Sequence, residues 1–355
     1  MTQAMIHKLL LWYGQNKRAL PWRDREPPSA YHTWVSEIML QQTRAEAVKP
    51  YYGRFLAALP TIKDLAEADE DRLLKLWEGL GYYSRARNLK HAAQIIMREH
   101  NGVIPADPAV LLKLPGIGLY TAGAVASIAY GVPVPAVDGN VLRVCARLAA
   151  DPSDIALDQT KRELSLRLLR AMPRDDPGGF NQAMMELGAC VCLPKSPNCL
   201  KPPSSEGGQG RCFSSSEGGQ GGCPLSEDCL AYAQGRTAEF PVKSPKKPRK
   251  IERRSLLILR FEDKLALRRR PPKGLLAGLW ELPEAFGLPG EHILSHEPAG
   301  EAVHIFTHIE WHMTAERVTL RSPLPDENLT WVTQDELERD YALPSAFAGF
   351  RGEMF

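Results

Sequence analysis

The sequence predicts a multidomain protein in which an all-α domain is followed by a small α+β domain. Three observations support this prediction. At 355 residues the chain is long for a single hydrophobic core. Apolar residues recur with helical spacing over residues 1–232, whereas short runs with strand periodicity begin at residue 255. Residues 233–254 are predicted as a linker, and their last twelve residues include seven basic residues, one acidic residue and two prolines.

Each predicted element follows from its local pattern. Helical periodicity, interrupted at proline and glycine, predicts helices over residues 6–16, 34–55, 69–80, 85–99, 121–129, 141–148 and 159–172. Residues 255–260 and 264–269 flank a turn at 262–263 and are predicted to form a strand pair. Further β structure is predicted over 304–320, and a helix over 335–339.

The composition is that of an ordinary globular protein, with 44% hydrophobic and 24% charged residues. The net charge is only +2, so a nucleic-acid site has to arise from local clustering of basic residues. No apolar run reaches eighteen residues, and the first residues lack a signal-peptide pattern. We therefore expect a cytoplasmic protein with no membrane contact.

Cysteines are concentrated in one region, because six of the seven lie between Cys190 and Cys229. In a chain without a secretory signal, such clustering favours metal ligation over disulfides. Cys145 and Cys190 are expected to be thiols without a ligand role.

A glycine-rich turn lies at residues 114–122, which read LPGIGLYTA. Gly116 and Gly118 allow backbone N–H groups to approach a phosphate, and apolar periodicity on both sides predicts a turn between two helices. The segment, with Asp138 shortly after it, resembles the helix-hairpin-helix element of DNA glycosylases related to endonuclease III. The resemblance implies that Gly116, Gly118 and Thr121 hold the DNA backbone.

Residues 36–43, SEIMLQQT, resemble the segment that carries the general acid in the MutY family of adenine DNA glycosylases. Glu37 lies between apolar neighbours, which would raise its pKa and let it carry a proton at neutral pH. The resemblance implies that Glu37 protonates the adenine ring. It also implies that Asp138 stabilises the oxocarbenium-like sugar or captures it covalently, with Asn140 bonding in the same site. Asp138 precedes a predicted helix, so it is also expected to cap that helix and remain ionised.

Tyr120 determines the predicted type of reaction. In the bifunctional relatives of endonuclease III, the residue before the hairpin threonine is a lysine that forms a Schiff base. A tyrosine hydroxyl cannot form one, so the resemblance implies hydrolysis of the glycosidic bond without an efficient lyase step. Tyr120 is expected to hydrogen-bond near the sugar and the carboxylate.

Three further segments, residues 41–42, 81–88 and 180–188, resemble DNA-contacting parts of this family. Residues 41–42 and 81–88 match segments that invade the duplex while the target nucleotide is extruded. By that resemblance Gln42 and Tyr82 lie near the lesion pair, Arg85 and Arg87 contact phosphates, and Gln182 reaches the adenine.

Four cysteines match the iron–sulfur loop of the adenine and thymine-glycol glycosylases, which reads Cys-x6-Cys-x2-Cys-x5-Cys. Removing residues 202–222 would restore this spacing, and that insert holds the repeated sequence SSEGGQG, for which we find no functional explanation. The resemblance implies a [4Fe–4S] cluster in a loop at 190–229. Its ligands would be Cys192, Cys199, Cys223 and Cys229. Two alternatives remain open: Cys212 replaces Cys223, or four of the thiolates bind zinc.

The C-terminal part resembles the Nudix-like module that recognises 8-oxoguanine in adenine glycosylases, most clearly at residues 272–284. A hydrolytic Nudix box needs an array of glutamates for metal, and only Glu297 fits that array, so binding is predicted and not pyrophosphate hydrolysis. Phe306, Thr307 and His308 align with the family's Phe-Ser-His loop, whose serine contacts the oxidised guanine. Thr307 keeps the hydroxyl and adds a methyl group.

These resemblances together predict a monofunctional glycosylase that removes adenine paired with 8-oxoguanine. The expected partner is double-stranded DNA with adenine opposite 8-oxoguanine or guanine, and the protein is expected to be a monomer, associated with the nucleoid in a bacterium. One alternative is a thymine-glycol-type glycosylase with lyase activity. Another is a protein that scans DNA without chemistry. A nucleotide hydrolase is disfavoured by the incomplete Nudix box.

Overall fold

The computed structural model describes residues 1–24, 26–200, 222–245, 248–285 and 287–355. Apart from Gly222, the predicted insert 202–222 lies outside the described residues, as does Cys212. The described chain divides into two compact units. The first comprises residues 1–66 and 88–245, and the second comprises residues 67–87 and 246–355.

The first part of the chain is helical. Its helices in chain order are α1 (Gln3–Asn16), α2 (Ala30–Leu40), α3 (Ala45–Ala58), α4 (Ile62–Glu67), α5 (Glu70–Leu76), α6 (Ser84–Glu99), α7 (Pro108–Leu111), α8 (Leu119–Tyr130), α9 (Gly139–Ala149), α10 (Asp158–Ala171), α11 (Pro177–Cys190) and α12 (Leu230–Ala233). Apolar side chains of α1, α9, α10 and α11 form one continuous core in the first unit. No helix among the described residues is long and apolar enough to span a membrane.

The structure differs from the predicted helices at several places, two of which bear on the site. The segment predicted as one helix over 34–55 is two helices, α2 and α3, because the chain turns at residues 41–44. Gln42 has a φ of 58°, in the left-handed region, which ends α2. Helix α11 was absent from the predicted helices, although Asp176 caps it by accepting from the Gly179 N–H at 2.8 Å and Pro177 occupies its first turn.

The second unit is built on a six-stranded mixed sheet. Its strands are β1 (Lys250–Phe261), β2 (Lys264–Arg269), β3 (Trp280–Glu281), β4 (Ile293–Ile305), β5 (Ile309–Leu320) and β6 (Leu329–Thr333), followed by helix α13 (Gln334–Asp340). The order is β3-β2-β1-β5-β4, with β6 also paired to β2; β1 and β5 are parallel and the other pairs are antiparallel. The predicted fold class, an all-α part followed by an α+β part, is confirmed.

The sheet extends into the predicted linker. Strand β1 begins at Lys250, and residues 250–254 pair in register with residues 309–313 of β5. The basic composition of these residues suggested a linker. The strand accommodates the charge because the Arg254 side chain is only 7% exposed and is paired with Glu281 at 2.9 Å. The predicted hairpin at 262–263 is present, with Arg260 opposite Leu265. Most of β4 escaped prediction because a bulge between Pro298 and Glu301 interrupts its alternation.

Segment 67–87 belongs to the second unit through α5. The Lys75 ammonium donates to the backbone carbonyls of Leu337 at 2.9 Å and Tyr341 at 3.1 Å. Asp71 accepts from Arg269 at 2.7 Å. The domain boundaries predicted at residues 232 and 255 stay a prediction. No pattern in the sequence indicates that α5 pairs with the C-terminal part of the chain.

Candidate active site

Helices α2 and α8 bring Glu37 and Tyr120 into contact. Glu37 is 6% exposed, and the Tyr120 hydroxyl donates a short hydrogen bond to Glu37 Oε2. The same hydroxyl lies 3.1 Å from Met185 Sδ on α11. Glu37 is thus a buried carboxyl with one fixed polar neighbour, as its apolar flanking residues predicted.

Burial is the main influence on this carboxyl. It raises the pKa of Glu37 from 4.5 to about 7, because the charged form loses its hydration. The hydrogen bond from Tyr120 and the charge of Arg23 oppose the increase, while the charge of Asp138 adds to it. Near neutral pH a substantial fraction of Glu37 therefore carries a proton that it can transfer.

The raised pKa also predicts a cost in stability. Between pH 4.5 and about 7 the folded state holds a proton at Glu37 that the unfolded state has released, so stability falls as pH rises through this window. The Glu37→Gln variant, which is uncharged at every pH, is expected to be more stable than wild type above pH 7 by about 3 kcal/mol. Chemical denaturation at pH 5 and pH 8 tests this: the difference in unfolding free energy should be small at pH 5 and large at pH 8. Equal differences at both values would show that Glu37 titrates normally.

Asp138 caps helix α9, as its position predicted. Its carboxylate accepts from the Val141 N–H at 2.8 Å and from Asn140 Nδ2 at 2.7 Å. These bonds favour the charged form, but burial has the larger effect and the pKa of Asp138 lies above its ordinary value. Burial and the cap thus act in opposite directions on this carboxyl, and the expectation that Asp138 remains ionised stays a prediction.

Arg143, which sequence reasoning missed, holds Asn140 in place from the next turn of α9. Its guanidinium is buried and donates to Asn140 Oδ1 at 2.8 Å and to the Gly188 carbonyl at 2.7 Å. A third bond runs from Nε to the Cys192 carbonyl at 2.7 Å. The sequence feature that could have identified Arg143 is a charged residue on an apolar face of a helix, three positions after Asn140.

Gly188 is a second residue that sequence reasoning missed. A Cβ built on it would lie 2.5 Å from the Cβ of Asn140 and 3.0 Å from its Cα. Only glycine lets α11 approach α9 this closely, so Gly188 sets the distance between the helix of Asp138 and the helix of Gln182.

The hairpin at 114–122 has the predicted form, with α7 and α8 on either side of the turn. Gly116 has a φ of 75°, and a Cβ there would lie 2.8 Å from the Asn88 side chain. Gly118 is different: its φ is −98°, it caps α8, and a Cβ would meet no atom within 4 Å. Gly118 immediately precedes the first turn of α8, the end of a helix that suits an anion, and its contact with a phosphate stays a prediction.

Thr121 is a correction to the predicted backbone contacts. It is 1% exposed, and its hydroxyl accepts from Gln41 Nε2 at 3.2 Å. A side chain buried against α2 cannot reach a phosphate, so Thr121 joins α8 to the helix of Glu37.

The two predicted glutamine contacts lie in different settings. Gln42 is exposed at the turn after α2. Gln182, on α11, is partly exposed, and its Oε1 accepts from the Tyr13 hydroxyl at 3.1 Å. Both side chains can reach a ligand, and their contacts with DNA stay a prediction.

The residues predicted at 82–87 lie in the second unit and divide into one exposed and two engaged side chains. Tyr82 is 46% exposed, and its hydroxyl lies 3.2 Å from Thr307 Oγ1. Arg85 is only 8% exposed. Arg87 donates to Glu70 Oε1 at 2.8 Å and to the Ala277 carbonyl. The prediction that Arg85 contacts a phosphate is therefore corrected, because its side chain is buried, whereas the contact predicted for Arg87, whose side chain is 26% exposed, stays a prediction.

The predicted lesion loop joins β4 to β5. The Phe306 ring packs edge-on against His304 at 4.6 Å and Trp311 at 4.9 Å between ring centroids. Thr307 and His308 are exposed. The segment in which the sequence predicts an incomplete Nudix box forms a 3₁₀ turn at Gly290–His292 and strand β4, where Glu297 pairs with Arg317 at 2.6 Å. Phe306 is thus an anchor, and the two following residues are presented to solvent.

The four predicted ligand cysteines lie together in the first unit. Cys192 follows α11, Cys223 donates its N–H to the Cys199 carbonyl at 3.1 Å, and Cys229 caps α12. Burial raises the pKa of Cys199, Cys223 and Cys229, and the nearby Cys192 adds to the increase at each of them. Among the described residues, no three His, Cys, Asp or Glu side chains are placed to hold one metal ion.

Arg147 places a buried positive charge beside these cysteines. It is 2% exposed and donates to Cys192 Sγ at 3.3 Å. The same guanidinium donates to the carbonyls of Leu193 at 2.6 Å and Phe240 at 3.0 Å. The four cysteines are the residue type that binds an iron–sulfur cluster, and Arg147 places a buried cation against one of them.

Comparisons with known proteins agree with this arrangement. Residues 35–169 match the HhH-GPD superfamily of base excision DNA repair proteins, and residues 254–350 match the NUDIX domain family. An adenine DNA glycosylase from Homo sapiens is 36% identical over 99% of this chain and 74% of its own length. One from Arabidopsis thaliana is 38% identical over 87% of this chain, which spans 56% of that relative.

Solved structures show the same helical fold. A thermostable thymine-DNA glycosylase aligns with a TM-score of 0.54 at 24% identity, over 65% of this chain and 96% of that one. A trapped endonuclease III–DNA covalent intermediate aligns with a TM-score of 0.51 at 24% identity, over 66% of this chain and 96% of that one. Proteins of the endonuclease III-like family generally carry an iron–sulfur cluster. With a helix-hairpin-helix domain, a Nudix-like domain and these relatives, the chain belongs to the adenine DNA glycosylases, the hydrolases of N-glycosyl compounds that act in base excision repair.

Proposed function

We propose that this protein removes adenine paired with 8-oxoguanine by acid-assisted hydrolysis of the N-glycosidic bond, without lyase activity. One observation carries the proposal: Glu37 is buried, has a pKa of about 7, and lies beside Tyr120 and the second carboxyl, Asp138. When two carboxyl groups lie in different environments, one can act as an acid and the other as an anion.

The chemistry follows from the two carboxyl groups. Protonated Glu37 donates its proton to the adenine ring, and the glycosidic electron pair leaves with the base. The sugar becomes oxocarbenium-like, and the Asp138 carboxylate, held by Asn140 and Val141, stabilises that charge. Water then adds at C1′ and loses a proton, which restores Glu37 to its acid form.

Tyr120 supports the assignment of a hydrolytic reaction. Its hydroxyl is already committed to Glu37, and burial raises its pKa well above its ordinary value, so it stays neutral. A neutral phenol cannot form the Schiff base on which a lyase step depends. We infer that Tyr120 holds the Glu37 carboxyl in position.

The proposal predicts a strand break only after alkali. A duplex with adenine opposite 8-oxoguanine is incubated with the protein, and the adenine strand is analysed with and without hot alkali. Hydrolytic removal leaves an abasic site, so breakage should require alkali, and borohydride should trap no adduct. Alkali-independent incision would indicate a lyase, and no breakage under either condition would indicate a binding protein without chemistry. Adenine opposite guanine and opposite thymine in the same sequence tests the proposed partner base.

We propose that Cys192, Cys199, Cys223 and Cys229 hold a [4Fe–4S] cluster. When bound, such a group supplies iron–thiolate bonds that fix the chain on both sides of residues 202–222. Arg147 would neutralise part of the thiolate charge. Arg143 bonds both the Cys192 carbonyl and Asn140, so it connects this loop to the helix of Asp138.

Metal analysis of the purified protein tests the cluster. We expect about four iron atoms and four sulfides per chain, with visible absorption that is lost on oxidation. The Cys223→Ser variant should lose iron, whereas Cys212→Ser, a matched change outside the proposed ligand set, should retain it. Iron loss in Cys212→Ser alone would reassign the third ligand, and a colourless protein with zinc would replace the cluster by a zinc site.

The proposed partner is duplex DNA bound by a monomer. Residence in the cytoplasm, at the nucleoid in a bacterial cell, stays a prediction.

A further inference from the structure

The loop that presents Tyr82 has an unusual backbone. Between α5 and α6, residues 77–83, three residues have positive φ: Gly79 at 98°, Gly81 at 68° and Tyr82 at 49°. The left-handed region is unfavourable for a side chain of this size, so Tyr82 keeps this conformation only if neighbouring groups fix it. The Tyr82 side chain is 46% exposed, and besides the contact of its hydroxyl with Thr307 Oγ1, groups beneath the loop hold this backbone.

Arg85 supplies that constraint. Its Nη2 donates to the carbonyls of Leu80 and Gly81, each at 3.1 Å. Its guanidinium carbon lies 5.5 Å from the centre of the Tyr82 ring and 5.3 Å from that of Trp77. One planar cation thus binds the loop backbone and also contacts the ring that the loop carries.

Trp77 forms the base of the same assembly. Its ring is fully buried, and its indole N–H donates to the Gly81 carbonyl at 3.1 Å. The Gly81 carbonyl therefore accepts from two side chains. Arg85 lies at the start of α6 and Trp77 at the end of α5, so the loop between the two helices is fixed from both ends.

The surroundings of Arg85 differ from those of Arg87. Arg87 is paired with the partly exposed Glu70, whereas Arg85 is enclosed by the loop and two aromatic rings. We propose that Arg85 is a positioning residue that holds Tyr82 in the conformation that inserts beside the lesion. The inference rests on the proposed function, because it treats Tyr82 as a lesion contact.

Single-turnover rates on two substrates test this role. Adenine opposite 8-oxoguanine and adenine opposite guanine are compared for wild type, Arg85→Met, Arg85→Lys, Tyr82→Leu and the double variant. Methionine keeps an apolar stem and removes the donors, so the preference for 8-oxoguanine should fall about tenfold. The Arg85→Lys variant keeps the charge without the planar donor pair, so its preference for 8-oxoguanine should lie between those of wild type and Arg85→Met. Arg98→Met, the same change at an exposed site on α6, should leave both rates unchanged.

The double variant separates positioning from a merely structural role. If Arg85 acts through Tyr82, adding Arg85→Met to Tyr82→Leu should lower the preference by less than twofold further. An equal additional loss in both backgrounds, or a loss of rate on both substrates that follows the fall in Tm, would overturn the inference. A wild-type protein that excises no adenine would instead refute the proposed function itself, and the positioning role with it.

Discussion

Replacing Glu37 by glutamine is expected to slow adenine excision by about 10²–10⁴-fold, the usual contribution of a positioned general acid. Glutamine preserves the shape of the side chain and can still accept the bond from Tyr120. It cannot transfer a proton at any pH. DNA binding should change little, because Glu37 is buried and acts on the adenine only after the base has left the helix.

The pH dependence of the wild-type protein gives a second readout. Excision requires the protonated acid, so kcat/KM should be level just below pH 7 and fall about tenfold per unit above it, following the pKa of about 7. The Glu37→Gln variant should lose this decline. The control is Glu46→Gln, the same change at a 58% exposed residue of α3, which should keep both the rate and the decline. A wild-type rate that is flat from pH 6 to pH 9 would remove Glu37 as the acid.

The location of Glu37 could be predicted from the sequence because its helix is apolar around it. Helical spacing places Trp34 and Ile38 beside the carboxyl, and both are buried. Desolvation depends mainly on such local surroundings, so the direction of the pKa shift was predictable. Its partner Tyr120 is distant in the chain, and only the family resemblance placed the two together.

Arg85 and Thr121 show where sequence reasoning failed. Arginine and threonine near a DNA-binding segment suggest phosphate contacts, because their donors suit phosphate oxygens. Whether such donors face solvent depends on tertiary packing. Both side chains are buried and bond to protein groups, which no local pattern indicates.

The sheet shows the same limit. The hairpin between β1 and β2 is local, and its turn and alternation were readable. The parallel pairing of β1 with β5 joins residues about sixty positions apart, and the charged residues at the start of β1 resembled a linker. Those charges are compatible with a strand because Arg254 finds Glu281 as a partner in the interior.

Arg143 and Gly188 matter to the site without touching a substrate. Arg143 fixes the amide of Asn140, and Gly188 allows the close approach of α11 to α9. Their importance depends on the distance between two helices, which periodicity does not report. The orientation of Asp138 therefore rests on residues that motif comparison alone overlooks.

Replacing Asp138 by asparagine is expected to lower the excision rate by about 10²–10³-fold, the usual cost of removing one electrostatic contact to a transition-state charge. Asparagine is as good a helix cap as aspartate, and its side-chain oxygen can still accept from the Val141 N–H. The substitution thus removes the negative charge and preserves the cap. Since burial raises the pKa of Asp138, wild-type activity should also decline at acid pH, and the variant should not show this decline.

Asp69→Asn is the matched control, because Asp69 caps α5 by accepting from the Arg72 N–H at 3.0 Å and is exposed. Both variants should unfold within a few degrees of wild type, and only Asp138→Asn should lose activity. A large fall in Tm for Asp138→Asn would mean that the charge supports the fold and not the reaction. An Asp138→Asn protein with wild-type activity would show that Glu37 suffices, and the sugar cation would then need no anion. The expected loss of rate with an unchanged Tm is the outcome that separates the two carboxyl groups: one supplies a proton to the base, and the other a charge to the sugar.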